Sequence, residues 1–199
     1  EDFSGRSLMS ICLIGKSCSG KDTVTKELIS MGYEKIITYT TRPQRNGEID
    51  GIHYHFISEK LFKKMIEDGV FAEWREYKTK SGTWFYGSLL ADYRGRKKVI
   101  ILTPDGYKKI QNIISNNKIS FKTFYLRVSN RTLKKRMFNR DSDKTESKRR
   151  YKADKKDFRG IKWHVDYVID NEHREAFETA LICKEIDENE ERYKIVREY

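Results

Sequence analysis

The sequence predicts an α/β layer fold built on a parallel sheet, and three observations predict it. Short apolar runs alternate with stretches of helical apolar spacing along most of the chain. The first apolar run ends in a glycine turn that leads straight into a helix. A later run, Val99 to Leu102, is apolar throughout, which is the pattern of a strand covered on both faces. Right-handed crossovers are expected between such strands. With 199 residues the chain has room for one well-buried domain with inserted flaps, and too little for two ordinary domains.

Taken in order, Ser10 to Ile14 reads as a strand that stops at Gly15, and Lys21 to Met31 as a helix with apolar positions at Val24, Leu28, Ile29 and Met31. Thr38 to Gly51 is rich in Thr, Arg, Pro, Asn, Gly and Asp and reads as loop. His53 to Ile57 alternates like a strand. Ser58 is placed to cap a helix carrying Leu61, Phe62, Met65 and Ile66 and ending by Gly69. Phe71 to Tyr77 alternates again, and Lys98 to Leu102 is the buried strand, ended by Pro104. Tyr107 to Ile114 reads as helix, Thr123 to Val128 as strand, Arg131 to Phe138 as a strongly basic helix, Tyr167 to Ile169 as strand, and the chain from Arg174 as helix. Asp141 to Lys156 has scarcely an apolar residue and reads as a lid rather than core. Residues 1–8 precede Met9 without a core pattern, and are expected to be an added or processed leader. The charged tail from Asp187 to Tyr199 is expected to form a peripheral helix.

Composition narrows the function classes only a little. The 41 Lys and Arg against 30 Asp and Glu give a formal charge of +11, which favours an anionic partner without choosing among nucleotide, nucleic acid and lipid. Much of that excess is lysine on helices, such as Lys63, Lys64, Lys108 and Lys109, where a solvated face explains it. No nucleic-acid recognition motif accompanies the charge. No apolar run approaches the roughly 20 residues that span a bilayer, and no secretion signal is visible, so neither nucleic acid nor membrane is expected as a partner. Cys12, Cys18 and Cys183 are odd in number and lack C-x-x-C spacing, which argues against a disulfide framework or zinc site and fits a reducing cytoplasm. His53 and His55 lie two apart, but with no further ligand nearby they do not make a metal site.

The strongest local signal is Gly15-Lys16-Ser17-Cys18-Ser19-Gly20-Lys21, which satisfies G-x-x-x-x-G-K between a strand and a helix. In that setting backbone N–H groups wrap a phosphate, glycine allows the close approach, and Lys21 bridges β- and γ-phosphates as a mobile charge. This makes the expected fold a P-loop NTPase three-layer fold, with ATP as the nucleotide. Asp22 stands where the motif has a Ser or Thr that ligates Mg²⁺, and Thr23 follows as a possible phosphate contact. Asp22 offers a hard oxygen to Mg²⁺ and also a negative charge beside phosphates, so ligation and partial repulsion both stay open.

From Thr40 to Phe56 the chain resembles the guanylate kinase family, whose T-T-R-x-x-R-x-G-E-x-x-G-x-x-Y-x-F is matched at every fixed position. The resemblance runs from Met9 to about Asn171. It implies a core (9–37, 94–136 and 157–199), a mixed α/β nucleoside monophosphate-binding flap (38–93) and a helical lid (137–156). It also implies Mg²⁺-dependent transfer of the γ-phosphoryl of ATP to GMP or dGMP. By motif, Arg42, Arg45 and Tyr54 would hold the acceptor phosphate with Tyr86, and charge-assisted bonds of this kind are worth roughly 1.5–3 kcal/mol each. Glu73 would accept from guanine N1–H and the 2-amino group, with Thr38 and Ser88 at the base edge. A carboxylate committed to those donors would reject adenine, by factors of about 10⁴ in comparable sites. Trp74 and Trp84 are expected to be packing residues. Lys135 to Arg140 resembles the family's lid entrance, which implies that Arg136 and Arg140, with Arg150 further on, reach the transferring phosphoryl group. Asp166 to Asn171 resembles the family's ending, with Asn171 near the adenine.

Two departures stand against the resemblance. Lys78 to Thr83 is longer than the family's connection and is expected to be a loop affecting substrate access. Ile101 and Thr103 occupy strand positions where the family has acids, so the metal carboxylate is expected to have moved to Asp22. Asp105, beyond Pro104, is a weaker metal candidate. Two alternatives remain open: a kinase of the same fold for another monophosphate or a phosphorylated sugar, and a guanylate kinase-like binding module without catalysis. Whether the chain is a monomer or a homodimer is not legible in the sequence.

Overall fold

The computed structural model describes residues 10–79, 82–95, 97–116, 121–140 and 144–188. They form two compact units, one of 10–34, 97–105 and 121–188, the other of 35–79, 82–95 and 106–116.

In the first unit the opening apolar run is β1 (Ser10–Ile14), buried at every residue. It lies between β7 (Lys98–Leu102) and β8 (Phe121–Arg127), parallel to both, with Cys12 opposite Ile100 on one side and Thr123 on the other. With β2 (Glu34–Lys35) and β9 (Tyr167–Asp170) the strand order is β2-β7-β1-β8-β9. A parallel sheet needs cover on both faces, which is why these strands read as continuous apolar runs instead of alternating ones. Helices α1 (Lys21–Ser30) and α6 (Ala176–Glu188) bury Val24, Leu28, Ala180 and Cys183 with Ile11, Leu13, Phe124 and Leu126 in one core. Lys122, on a buried strand, is tolerated because its Nζ donates to the carbonyls of Ile186 (2.7 Å) and Asp187 (3.4 Å) in the last turn of α6, where the helix dipole is negative. Tyr33 donates from Oη to Asp187 at 2.6 Å, and burial followed by that carboxylate pushes its phenol well above the ordinary value. None of the three cysteines is in a disulfide.

The second unit holds a four-stranded sheet in the order β4-β3-β6-β5. Its strands are β3 (Tyr39–Thr40), β4 (His55–Phe56), β5 (Phe71–Thr79) and β6 (Gly82–Leu89). Helix α2 (Glu59–Glu67) starts where the sequence places it, Ser58 Oγ accepting from Leu61 N at 3.2 Å. Its Phe62 is fully buried and stacks on Phe71, with ring centroids 4.4 Å apart.

Several boundaries differ from expectation for identifiable reasons. Helix α3 (Pro104–Asn116) begins at the proline itself, because a first helical residue needs no N–H donor. Residues 106–116 cluster with the strands of the second unit, and Lys109 shows why: its Nζ donates to the Trp74 carbonyl at 2.9 Å and lies over the Trp74 ring. The stretch Lys78–Thr83 is not a loop at its ends, since Lys78 pairs with Thr83 and Thr79 with Gly82. The extra residues lengthen the arms of the β5–β6 hairpin, and Lys80 and Ser81 lie outside the described residues. In the expected lid, α4 (Asn130–Arg140) is followed by α5 (Lys144–Asp157). That helix carries no apolar stripe, yet Ser147 is fully buried. Residues 1–9, 141–143 and 189–199, which include most of the leader and the tail, lie outside the described residues.

Candidate active site

The loop between β1 and α1 is shaped by two left-handed residues, Cys18 (φ 64°) and Gly20 (φ 97°). Gly20 is the N-cap of α1, so the loop hands its amides directly to a helix N-terminus. At Gly15 a side chain is excluded by contact, because a Cβ there would lie 2.4 Å from Ser19 Oγ. Lys21 folds back along the loop, donating from Nζ to the carbonyls of Gly15 (2.7 Å) and Lys16 (2.9 Å). Lys16 donates to Asn130 Oδ1 at 2.9 Å. The loop already binds one anion: Ser17 N–H donates to the carboxylate of Asp154, from α5, at 2.7 Å.

Beside this loop lies a cavity of about 380 Å³ lined by Cys18, Gly20, Asp22, Thr23, Arg136 and Arg174, among others. Arg136 crosses to the loop, donating to the Cys18 carbonyl at 3.4 Å and to the Glu172 carbonyl at 3.2 Å. Asn171 also lines the cavity, but both ends of its amide are used: Nδ2 donates to Ser19 O at 2.8 Å, and Oδ1 accepts from Thr179 Oγ1 at 2.5 Å. That geometry makes Asn171 a staple between the loop and α6. Arg150 on α5 is half-buried, and Arg140 ends α4 with a side chain outside what is described. Asp22 is exposed at the first turn of α1. Among the described residues no three His, Cys, Asp or Glu side chains cluster as a metal cage. His53 Nδ1 accepts from Ile49 N at 2.9 Å, a structural use.

In the second unit the two threonines of Thr40-Thr41-Arg42 splice the loop onto β6. Thr40 Oγ1 donates to Phe85 O (3.0 Å) and accepts from Arg42 N (3.1 Å), while Thr41 exchanges bonds with Phe85 through its N–H and Oγ1. This delivers Arg42, 4% exposed, into a ring of acceptors and aromatics. Its Nη2 meets both Glu48 oxygens (2.7 and 2.9 Å), its Nη1 donates to Pro43 O, and its guanidinium lies 5.5 Å from the Tyr54 ring centre. Tyr54 and Tyr86 stand edge to face at 5.9 Å, so the structure brings together Arg42, Tyr54 and Tyr86 as the motif implied. Arg45 is exposed, and its backbone N–H donates to Glu48. Burial alone would disfavour the Arg42 charge, but Glu48 and Tyr86 outweigh it and hold that guanidinium above its ordinary pKa. Burial likewise pushes Glu48 up, and the Arg42 side chain with the Arg45 N–H more than reverses this, leaving the carboxyl below its ordinary range.

The base-edge candidates are sorted by a bulge. Phe71 pairs with Leu89 and Glu73 with Ser88, so Ala72 is an extra residue on β5. Phe71 therefore faces α2, and Glu73, Arg75 and Tyr77 share the opposite face with Ser88, Tyr86 and Trp84. Gly87 permits the crossing, since a Cβ there would come within 2.9 Å of the Phe71 ring and 3.0 Å of Glu73 O. Glu73 is 8% exposed, and its Oε1 accepts from Ser88 Oγ at 3.0 Å. Thr38 is half-buried, and its carbonyl accepts from His55 N. Trp74 lies on the α2 face with its ring centre 6.4 Å from that of Phe85, yet it is 38% exposed, so it is less buried than a packing residue is expected to be.

Sequence reasoning missed three residues that the structure brings to these sites: Glu48 on Arg42, Asp154 on the Ser17 N–H, and Arg174 on the cavity wall. Glu48 lay inside a matched motif and should have suggested a partner for Arg42. Asp154 is an acid in a run of cations.

A phosphate-wrapping loop between the central strand of a parallel sheet and its following helix, with cationic side chains converging beside it, defines a P-loop phosphotransferase. The family model described as guanylate kinase matches residues 7–187, and the chain belongs to that family. It is 30% identical over 190 residues to the guanylate kinase of Helicobacter hepaticus, covering 87% of each chain. It is 32% identical over 181 residues to that of Sulfurimonas denitrificans, covering 86% of this chain and 84% of the other. The crystal structure of guanylate kinase from Anaplasma phagocytophilum shares the fold, with a TM-score of 0.67 at 21% identity over 93% of this chain and 87% of that one. The family places the chain among the ATP-dependent nucleoside monophosphate kinases.

The Arg42–Glu48 pair gives a pH signature. Because the folded Glu48 pKa is depressed, the stability it contributes is present above its unfolded value of about 4.3 and is lost as pH falls through the folded one. Denaturant melts of wild type and Glu48→Gln are expected to differ at pH 6, with wild type the more stable, and to converge as pH falls through the depressed folded pKa. A gap that persists unchanged in acid would show that the pair's charge is not what stabilises it.

Proposed function

We propose that this chain is a guanylate kinase, moving the γ-phosphoryl group of ATP onto GMP or dGMP. The observation that carries the reading is the β5–β6 hairpin, which puts Glu73 and Ser88 on the same face as Tyr86, the partner of the Arg42–Tyr54 anion pocket. A phosphate clamp and a buried base-reading carboxylate on one sheet face suit a purine monophosphate with donors on its Watson–Crick edge. Glu73 accepts from N1–H and the 2-amino group, with Thr38 and Ser88 beside it, while Arg42, Arg45, Tyr54 and Tyr86 hold the phosphate. Adenine presents an acceptor at N1 and would leave Glu73 buried and unsatisfied.

The donor sits on Gly15, Lys16, Ser17, Cys18, Ser19, Gly20 and Lys21. The Asp154 contact supports this, because the N–H of Ser17 takes a carboxylate oxygen where a phosphate oxygen would bind. Lys21 leaves its loop carbonyls for the β- and γ-phosphates, and Arg136, Arg140 and Arg150 neutralise the charge that spreads over the phosphoryl oxygens. Thr23 flanks the phosphates. Asn171 contributes by holding Ser19 in place beneath the nucleotide. Asp22 fits Mg²⁺: it offers one exposed hard oxygen next to Lys21, and Mg²⁺ takes few protein ligands when phosphates and water supply the rest. When bound there with ATP, Mg²⁺ supplies charge neutralisation at the β- and γ-oxygens. Ile101 packs against the apolar core, in keeping with relocation of the metal carboxylate to the loop. No covalent enzyme intermediate is needed, since positioning and electrostatics carry this transfer. No helix among the described residues is long and apolar enough to cross a membrane, and a cytoplasmic enzyme working on free nucleotides is the setting we infer.

A coupled assay with ATP, Mg²⁺ and a panel of GMP, dGMP, AMP, CMP and UMP, with Lys21→Ala as blank, tests the reading. Turnover confined to the guanine substrates is expected. Turnover of another monophosphate would discard the role of Glu73, and inactivity on all five would favour a binding module. The metal assignment has its own test: Asp22→Ser is expected to raise the Mg²⁺ concentration needed for half-maximal rate, and an unchanged requirement would contradict it.

A further inference from the structure

Glu73 is the group on which base recognition turns, and its two oxygens are held from different directions by residues outside the matched motif. Oε1 accepts from Ser88 Oγ at 3.0 Å, and Ser88 Oγ lies 2.8 Å from Tyr93 Oη. Ser88 has one hydroxyl hydrogen. Since the carboxylate can only accept, that hydrogen goes to Glu73, and Tyr93 must donate its own to the Ser88 oxygen. Tyr93 is 1% exposed, at the end of a 3-10 turn (Leu90–Tyr93) that follows β6, so a buried ring fixes the direction of the relay. On the other oxygen, Arg75 Nε stands 4.0 Å from Oε2, and Arg75 Nη1 donates to Tyr77 Oη at 3.1 Å. Room for that guanidinium comes from α3: a Cβ on Gly106 would lie 2.8 Å from Arg75 Nη2 and 3.4 Å from Glu73 Oε2. Glycine at 106 thus lets a partly buried cation reach the flank of a buried carboxylate.

We propose that Tyr93 and Arg75 are positioning residues for recognition of the acceptor base, resting on the reading that Glu73 takes the donor edge of guanine. Tyr93, acting through Ser88, fixes Oε1, and Arg75 flanks Oε2 and keeps the carboxylate turned so that both oxygens meet N1–H and the 2-amino group. A buried carboxylate without these supports is free to rotate, and that change weakens contact with the 2-amino group first, because that contact needs the second oxygen in place.

The test compares wild type, Tyr93→Phe, Arg75→Met and Arg75→Lys with GMP and with IMP, which lacks the 2-amino group, by equilibrium titration and steady-state kinetics. Tyr93→Phe removes one oxygen atom from a buried ring, and Arg75→Lys keeps the charge, so these two variants are expected to fold even if Arg75→Met does not. The expected result is a KM for GMP raised about three- to tenfold in Tyr93→Phe and Arg75→Met. The KM for ATP is expected to stay within about twofold, and the preference for GMP over IMP to shrink by a similar factor, with partial recovery in Arg75→Lys. Equal weakening of GMP, IMP and ATP would mean a structural role only and would overturn the proposal. So would a wild-type preference for GMP that survives in all three variants. A wild type that binds GMP no better than IMP would overturn the reading of Glu73 itself, and this inference with it.

Discussion

One extra residue in β5 decides which side chains of the second unit share a face. Without the bulge at Ala72, strict alternation would put Phe71 and Glu73 on the same face. Either Phe71 would leave Phe62 and unpack α2, or Glu73 would be buried against the aromatic side of the sheet. The bulge separates the two demands, leaving Phe62, Phe71 and Phe85 to hold the unit together and Glu73, Ser88 and Tyr86 to face a ligand. Gly87 is the complement, being the position where the aromatic ring passes the strand backbone.

The two units prepare for anions in different ways. In the first, the chain offers backbone N–H groups shaped by left-handed residues and holds its mobile cation, Lys21, on loop carbonyls until a stronger acceptor arrives. In the second, the cation is pre-set: Arg42 is buried, paired with Glu48 and framed by Tyr54, so less freedom is lost when a phosphate binds. The internal carboxylates, Asp154 on the loop and Glu48 on Arg42, stand where anionic ligands are expected to compete.

Much of the fold was legible because it rests on local physics. The buried strands Ser10–Ile14 and Lys98–Leu102, the Ser58 cap and the glycine turn before α1 each follow from a few adjacent residues. Strand β6 was harder to see, because Gly82, Gly87 and Ser88 dilute its β character and its pairing with β5 supplies what the sequence lacks. Pro104 is legible as the end of β7, and the same proline begins α3. In the site, motif residues such as Arg42, Tyr54 and Tyr86 were identifiable by type and spacing. Partners that meet them through tertiary contact were not: Asp154 reaches Ser17 across 137 positions of sequence, and Arg75 depends on an absent side chain at Gly106. Asn171 is another such case, since its amide meets Ser19 and Thr179 across the fold.

The claim at the centre of this account is that Glu73 reads the base. The most direct measurement is the ratio of kcat/KM for GMP to that for AMP in Glu73→Gln against wild type. The amide replaces one acceptor oxygen with a donor, so GMP loses a partner while AMP gains a possible one at N1. The account predicts a ratio that collapses by two orders of magnitude or more, on the order of the discrimination such buried polar sites provide. A ratio within about threefold of wild type, with the protein folded and active, would contradict it.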